Sequence, residues 1–229
     1  MRALILNSGT GSRMGALTSN GPKCMVQLAT GETIISRQLN QLLEVGISRV
    51  IITTGKYHDK IQNYCLSLGL PINFSFVKSD KYSTTNYIYS IYLARHLLKD
   101  DIVILHGDLV FDTNVLKKQP FGSMAVYIKS HLPEKDFKAV LQDGKIIKVG
   151  VDFFENAVMA QPLYKLKKEQ WLKWLNNISD FCENKETDVY AENALNIKIN
   201  PFDFGCSLCS EIDTQEDLEK VNEYIIGLW

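Results

Sequence analysis

The first 27 residues contain the side chains with the clearest potential for chemistry. An apolar run from Ala3 to Leu6 is followed by a segment rich in glycine and hydroxyl groups: Asn7, Ser8, Gly9, Thr10, Gly11, Ser12 and Arg13. This pattern predicts a buried strand that ends in a glycine-rich loop. Glycine allows successive backbone N–H groups to turn around an anion, and Arg13 and Lys23 add positive charge nearby. We therefore expect a nucleotide-phosphate site here.

Two common phosphate motifs do not describe this loop. A P-loop would end in Gly-Lys-Ser/Thr, which this segment lacks, and a dinucleotide fingerprint would need a third glycine where Met14 stands. A Gly-x-Gly pattern by itself also serves many strand-to-helix turns that bind nothing. The spacing of Gly9, Gly11 and Arg13 before Pro22 and Lys23 is the more specific feature.

Carboxylates follow two predicted strands that are far apart in the chain. Asp108 comes after the apolar strand Asp101–Leu105, and Glu211 and Asp213 stand at the end of the predicted strand Phe204–Ile212. A single aspartate at such a place is more often a turn or cap residue, as we expect for Asp112. Three carboxylates beside a phosphate loop suit Mg²⁺, which binds through one or two carboxylates and substrate phosphates.

The elements that position these residues alternate between strand and helix in the first half. Helical spacing of apolar residues predicts helices, and short apolar runs predict strands. The predicted helices are Glu32–Val45, His58–Leu68 and Asn86–Leu98, and the predicted strands are Arg49–Thr54, Ile72–Val77 and Asp101–Leu105. The alternation indicates an α/β fold, a Rossmann-like, mainly parallel sheet flanked by helices, with ligands at the carboxyl ends of the strands.

The second half is predicted to add a small antiparallel elaboration. Met124–Ile128 reads as a strand and Lys138–Val149 as a hairpin around Asp143-Gly144. Three further helices are predicted, the last capped by Thr214: Glu169–Phe181, Val189–Ile197 and Thr214–Ile225. We expect a single domain over residues 1–229, with a nucleotide-binding half (1–112) and an acceptor-binding half (113–229).

Composition limits the class of protein. The chain has 229 residues and a net charge of −1, with acidic and basic residues mixed, so we expect neither nucleic acid nor a membrane as a partner. Without a leader-like or spanning apolar segment, a cytoplasmic protein is expected. The five cysteines are scattered, and Cys206-x-x-Cys209 lies in a predicted strand, where its two thiols would face opposite sides, so metal or redox chemistry is disfavoured. The four histidines form no ligand cluster, and each is expected on the surface or in the core.

The order Gly9-x-Gly11-x-Arg13 followed by Pro22-Lys23 resembles the signature of nucleotidyltransferases that make sugar nucleotides and CDP-choline, the MobA-like NTP transferases. The stretch Lys81–Ala94, KYSTTNYIYSIYLA, is similar to a block of bacterial CTP:phosphocholine cytidylyltransferases, as are Val189–Asn193 and Glu211–Glu216. The chain departs from these enzymes in having Asn7-Ser8 where they usually have Ala-Ala, and Ala16 where many have Pro.

The resemblance implies a set of site residues. Lys23, Arg13 and Asp108 would be catalytic; Asn7 to Arg13 and Lys23 would hold the phosphates of CTP; Asp108, Glu211 and Asp213 would hold Mg²⁺. Asn86 and Ser90 would lie near the cytosine, although Asn86 could equally cap its own helix. The phosphocholine acceptor would meet Lys129 through its phosphate and Tyr164, Tyr190 and Glu192 through its cationic head.

Other activities stay open at this point. Aminoethylphosphonate or phosphoethanolamine would also suit Glu192, and a sugar 1-phosphate is a further acceptor class. A glycosyltransferase of similar fold is disfavoured, because its metal motif is normally Asp-x-Asp and this chain reads Asp108-Leu109-Val110. A catalytically silent nucleotide-binding domain is disfavoured by the presence of Arg13, Lys23, Asp108 and Asp213. The oligomeric state is not indicated by the sequence.

Overall fold

The structure, a computed structural model, describes residues 1–9, 18, 21–128, 131–132 and 134–227. Its strands are β1 (Arg2–Asn7), β2 (Arg49–Thr54), β3 (Asn73–Lys78), β4 (Ile102–His106), β5 (Leu109–Phe111), β6 (Ser123–Tyr127), β7 (Lys138–Gln142), β8 (Lys145–Gly150), β9 (Ala157–Leu166), β10 (Asn200–Asp203) and β11 (Cys209–Glu211). Its α-helices are α1 (Ile34–Glu44), α2 (His58–Ser67), α3 (Tyr87–Ala94), α4 (Thr113–Lys118), α5 (Lys168–Glu183) and α6 (Gln215–Ile225). Short 3₁₀ turns cover Lys23–Met25, Arg95–Leu97 and Ala191–Ala194.

The main sheet confirms the predicted Rossmann-like fold. Its path runs β10-β6-β9-β4-β1-β2-β3, and the hairpin β7-β8 attaches along β9. The pairs β4-β1, β1-β2 and β2-β3 are parallel, as strand–helix alternation requires, whereas β9 runs antiparallel to both neighbours. A separate two-stranded ribbon pairs β5 with β11.

Both faces of the sheet are covered by helices, and each face has its own core. On one face α1 and α2 contribute Leu39, Leu42 and Ile61. On the other face α3 and α5 contribute Ile91 and Trp174. Full burial of one such side chain contributes about 1.5–3 kcal/mol, so the two cores fix the sheet that carries the site.

Helix starts follow the local sequence. Thr33 and Ser36 form a capping box at the start of α1, and Thr214 and Asp217 form another at α6, the N-cap predicted for Thr214. The hairpin turn is also confirmed: Asp143 and Gly144 both have positive φ, 51° and 68°. This conformation is typical of the two-residue turns that join antiparallel strands.

Several elements of the second half differ from the prediction. Residues 189–197 are not a helix but contain one 3₁₀ turn, Ala191–Ala194, in which the buried Glu192 side chain points inward to two tyrosines. The predicted strand 204–212 is confined to Cys209–Glu211, since Gly205 takes a positive φ of 61° after β10. Asp112 lies at the N-cap of α4, but its carboxylate accepts from Tyr224 and Leu208 instead.

Strand β9 was not predicted, because Pro162 interrupts its apolar pattern. The proline lies where the pairing of β6 with β9 shifts register, a position at which a strand tolerates the loss of an N–H donor. Among the described residues, every helix is too short or too polar to cross a lipid bilayer.

Candidate active site

The ribbon β5-β11 brings together carboxylates that are about a hundred residues apart. Glu211 stands opposite Leu109 in this antiparallel pair, and the Ile212 N–H donates to the Asp108 carbonyl at 3.0 Å. Asp108 stands two residues after β4, and Asp213 stands two residues after β11, so both lie where the ribbon meets the carboxyl edge of the sheet. The three carboxylates predicted as metal ligands therefore lie at one edge.

Lys23 lies between two of these carboxylates. Its Nζ donates to Asp108 Oδ2 at 2.6 Å and also to Asp213 Oδ1, and the lysine side chain is only 12% exposed. Burial disfavours the ammonium, but the two aspartates outweigh it and raise the pKa of Lys23. Burial also opposes ionisation of Asp108, yet Lys23 and His106 hold the Asp108 pKa below its ordinary value. Lys23 and Asp108 therefore face each other as a charged pair at neutral pH.

His106, the last residue of β4, is a site residue that the sequence analysis missed. Its Nδ1 is 2.9 Å from Glu211 Oε1. Burial opposes the charged ring, but the bond to Glu211 and the nearby Asp108 raise the pKa of His106 to about 9. Burial and repulsion from Asp108 raise the pKa of Glu211 to about 7. The proton that lies between the two side chains is therefore held by the His106 imidazole. The sequence could have indicated His106 as a site residue, because His106 stands at the carboxyl end of a central strand, where ligands bind.

The cluster has the chemistry of a divalent-cation site. Asp108 Oδ1 is buried and has no hydrogen-bond partner among the described residues. One ligand atom from each of His106, Asp108 and Glu211 lies within 4.8 Å of the others, and Asp213 joins through Lys23. Carboxylate oxygens are the donors that Mg²⁺ and Mn²⁺ prefer. The carboxylates of Asp108, Glu211 and Asp213 therefore fit a hard cation, whereas the His106 imidazole is bonded to Glu211.

The start of the predicted phosphate loop is tightly built. The Ser90 hydroxyl donates to the buried Ser8 hydroxyl at 2.7 Å, which ties the end of β1 to α3. Gly55, after β2, packs so closely that a Cβ there would meet the Ser8 carbonyl at 2.5 Å. Among the other predicted loop residues, Asn7 ends β1, whereas Thr10, Gly11, Ser12 and Arg13 lie outside the described residues.

A cavity of about 400 Å³ opens beside this edge. The predicted site residues that line it are Ser8, Gly9, Asn86, Ser90, Asp108, Tyr190, Glu211 and Asp213. Asn86 also caps α3, because its side chain accepts from the Tyr87 N–H at 2.8 Å, so it serves its own helix and faces the cavity. Lys129, the predicted phosphate contact of the acceptor, lies outside the described residues.

Aromatic rings form part of the cavity wall. The Tyr87 ring lies 4.9 Å from His106 and 5.9 Å from Tyr190, and Phe137 lies 5.1 Å from Tyr190. Tyr87 and Phe137 were not predicted as site residues: Tyr87 lies within the block Lys81–Ala94 but was given no role, and Phe137 joins it only through the fold. The face that they make with Tyr190 suits a cationic or apolar group.

Glu192 occupies a different position from Tyr190. It is 5% exposed and accepts hydrogen bonds from the hydroxyls of Tyr87 and Tyr164, the latter at 2.7 Å. Burial and the Glu192 charge raise the pKa of both phenols, which keeps them as donors. Tyr164 is buried behind this carboxylate and lines neither the first cavity nor an adjacent one of about 650 Å³, which Glu192 does line. The structure therefore does not bring Tyr164 to the cavity surface.

Comparisons with known proteins agree with the fold. Residues 3–119, about half of the chain, match the MobA-like NTP transferase domain. The chain is 32% identical over 118 residues to a CMP-5'-(3-aminopropyl)phosphonate synthase of Streptomyces rubellomurinus, a match of 52% of this chain and 19% of that protein. It is 28% identical to a choline-phosphate cytidylyltransferase of Streptococcus pneumoniae, with 98% of each chain covered. The structure of an inositol-1-phosphate CTP transferase from T. maritima superposes with a TM-score of 0.80 at 24% identity, over 98% of this chain and 94% of that one.

Proposed function

The chain belongs to the MobA-like NTP transferase domain family, and from that premise we propose that it transfers CMP from CTP to a small phosphorylated acceptor, with phosphocholine as the first candidate. The products would be CDP-choline and pyrophosphate. The observation that carries the proposal is that Lys23 lies between Asp108 and Asp213, two carboxylates that line the cavity. The relatives named for CMP and choline-phosphate transfer support the choice of CTP.

In this reaction an acceptor phosphate oxygen would attack the α-phosphorus of CTP. A new O–P bond forms while the bond to the pyrophosphate oxygen breaks and its electrons leave with that group. A phosphate monoester is largely dianionic at neutral pH, because its second pKa is about 6. The protein therefore needs no general base, and its task is to position two anions and to stabilise charge.

Each charged group has a separate task in this proposal. Lys23 and Arg13 would stabilise the charge that develops on pyrophosphate, together with N–H groups of the glycine turn from Gly9. Asp108, Glu211 and Asp213 would hold Mg²⁺, which supplies Lewis-acid stabilisation of phosphate oxygens when bound. His106 would keep Glu211 oriented through the 2.9 Å contact.

The aromatic wall supports an acceptor with a cationic head. Tyr87, Phe137 and Tyr190 line the cavity with their rings packed against one another, and Asp136 lines the same cavity. A quaternary ammonium is commonly bound by such rings. An aminoalkyl phosphonate is the second candidate, because its primary amine could bind the Asp136 carboxylate. One relative is named for such a substrate.

The decisive experiment measures pyrophosphate release from each of the four nucleoside triphosphates with Mg²⁺. Phosphocholine, 2-aminoethylphosphonate and glucose 1-phosphate serve as acceptors. We expect release from CTP with phosphocholine, and weaker release with the phosphonate. Release only with UTP, GTP or ATP, or no release with any pair, would contradict the proposal.

We expect Tyr190→Ala to raise the KM for phosphocholine about tenfold. Loss of one cation–π face in a partly exposed site costs roughly 0.5–2 kcal/mol, and 1.4 kcal/mol corresponds to tenfold. Tyr190→Phe is the matched control, because it keeps the ring and should leave KM within about twofold. If both variants raise KM equally, the hydroxyl and not the ring face recognises the acceptor.

A further inference from the structure

Lys138, the first residue of β7, is a buried charge outside the cation cluster. Its side chain is 0% exposed, and its Nζ donates to the carbonyls of Glu134 at 3.1 Å, Asp136 at 3.0 Å and Val151 at 2.6 Å. An ammonium has three N–H donors, so each is used. The centroid of the Phe154 ring lies 4.4 Å from Nζ.

The three carbonyls belong to two separate segments. Glu134 and Asp136 precede β7, whereas Val151 follows β8, so the ammonium joins the entry of the hairpin to its exit. Charge-assisted hydrogen bonds of this kind are stronger than neutral ones, and their loss would take this shared donor from three partly buried carbonyl contacts. Lys138 therefore fixes the backbone of both segments.

Those two segments form part of the cavity wall. Asp136, Phe137 and Val151 line the 400 Å³ cavity, and the Phe137 ring packs against His106 at 6.2 Å and Tyr190 at 5.1 Å. They line the cavity together with Tyr190. In the proposed function this wall receives the acceptor, whereas Lys23 and the glycine-rich loop receive CTP. A shift of about 1 Å in such a wall is enough to change binding or rate.

We propose that Lys138 is a positioning residue for the acceptor site: its ammonium holds the wall formed by Asp136, Phe137 and Val151 in the geometry that receives the acceptor. The proposal rests on the proposed function, since it assigns this wall to the acceptor and not to CTP. It does not require Lys138 to touch either substrate.

The test compares Lys138→Met, which keeps an unbranched side chain one atom shorter and removes its donors, with wild-type protein. We expect the KM for the acceptor to rise about tenfold, while the KM for CTP and kcat at saturating acceptor stay within about twofold. Lys145→Met is the matched control, because Lys145 is exposed on the same hairpin and donates to Asn200, away from the cavity wall. All three kinetic parameters should be unchanged in that control.

A second variant covers the case in which Lys138→Met does not fold. Phe154→Ala leaves the lysine in place but opens it to water, and Phe154 is already 51% exposed. We expect a rise of about threefold in the acceptor KM with the CTP KM unchanged. An unchanged acceptor KM, or an equal rise in both KM values, overturns the positioning role.

Wild-type pyrophosphate release is measured first in the same series. Its absence with every substrate pair rejects the proposed function. An active wild-type protein whose acceptor KM does not respond to Lys138→Met or Phe154→Ala rejects the role of Lys138 alone.

Discussion

Replacing Lys23 by methionine is expected to lower turnover by about 10³-fold, the largest effect that we predict for a single side chain. The ammonium is the described cation nearest to the Asp108 and Asp213 carboxylates, and in the proposed reaction it stabilises the leaving pyrophosphate. A 10³-fold loss corresponds to about 4 kcal/mol of transition-state stabilisation. The measurement is the initial rate of pyrophosphate release at saturating CTP and acceptor.

The same substitution has a consequence that does not depend on catalysis. Without the ammonium, two carboxylates face one another uncompensated, so we expect lower thermal stability and tighter Mg²⁺ binding to the protein without nucleotide. Calorimetric titration with Mg²⁺ alone measures that affinity, with Lys118→Met, an exposed lysine of α4, as the control. If Lys23→Met has near-normal turnover, the assigned role of Lys23 is wrong.

Asp108→Asn is expected to lower turnover by about 10²–10³-fold and to raise the Mg²⁺ concentration needed for half-maximal rate. The substitution keeps the shape of the side chain, but it removes the charge that faces Lys23 and replaces one carboxylate oxygen by an N–H donor. The buried Oδ1, which has no partner among the described residues, is the oxygen that we expect to reach the cation. The assay is the rate as a function of Mg²⁺ concentration.

Asp143→Asn provides the control for that change. Asp143 lies in the exposed hairpin turn at positive φ, a conformation that asparagine adopts readily, so rate and Mg²⁺ dependence should match the wild-type protein. An Asp108→Asn variant with normal Mg²⁺ dependence would place the metal elsewhere in the chain.

The parts of the fold that the sequence predicted are those with strong local signals. Apolar periodicity located the strands and helices around β1, β2 and β4, and the parallel order follows from their alternation. Local hydrogen-bonding chemistry located the cap at Thr214 and the turn at Asp143. Asp108 could be singled out because a carboxylate after a central strand must lie at the ligand edge.

The parts that were missed depend on contacts between distant residues. β5 and β11 have three residues each, too few for a periodic pattern, and only their pairing defines them. β9 has a central position in the sheet although its sequence contains Pro162, which is unusual in a central strand. His106 is isolated in the sequence, and only the fold brings it within 2.9 Å of Glu211. Glu192 was assigned to a helix, whereas its environment is set by two tyrosines from other elements.

The central position of β9 also limits how the chain can be divided. This strand comes from the second half of the sequence, yet it pairs with β4 of the first half on one side and with β6 on the other. A fragment that stopped at residue 112 would carry Lys23 and Asp108 but would expose an unpaired β4 edge and lack Glu211 and Asp213. We therefore expect such a fragment to self-associate through that open edge. We also expect the glycine-rich loop to support nucleotidyl transfer only when residues of both halves are present.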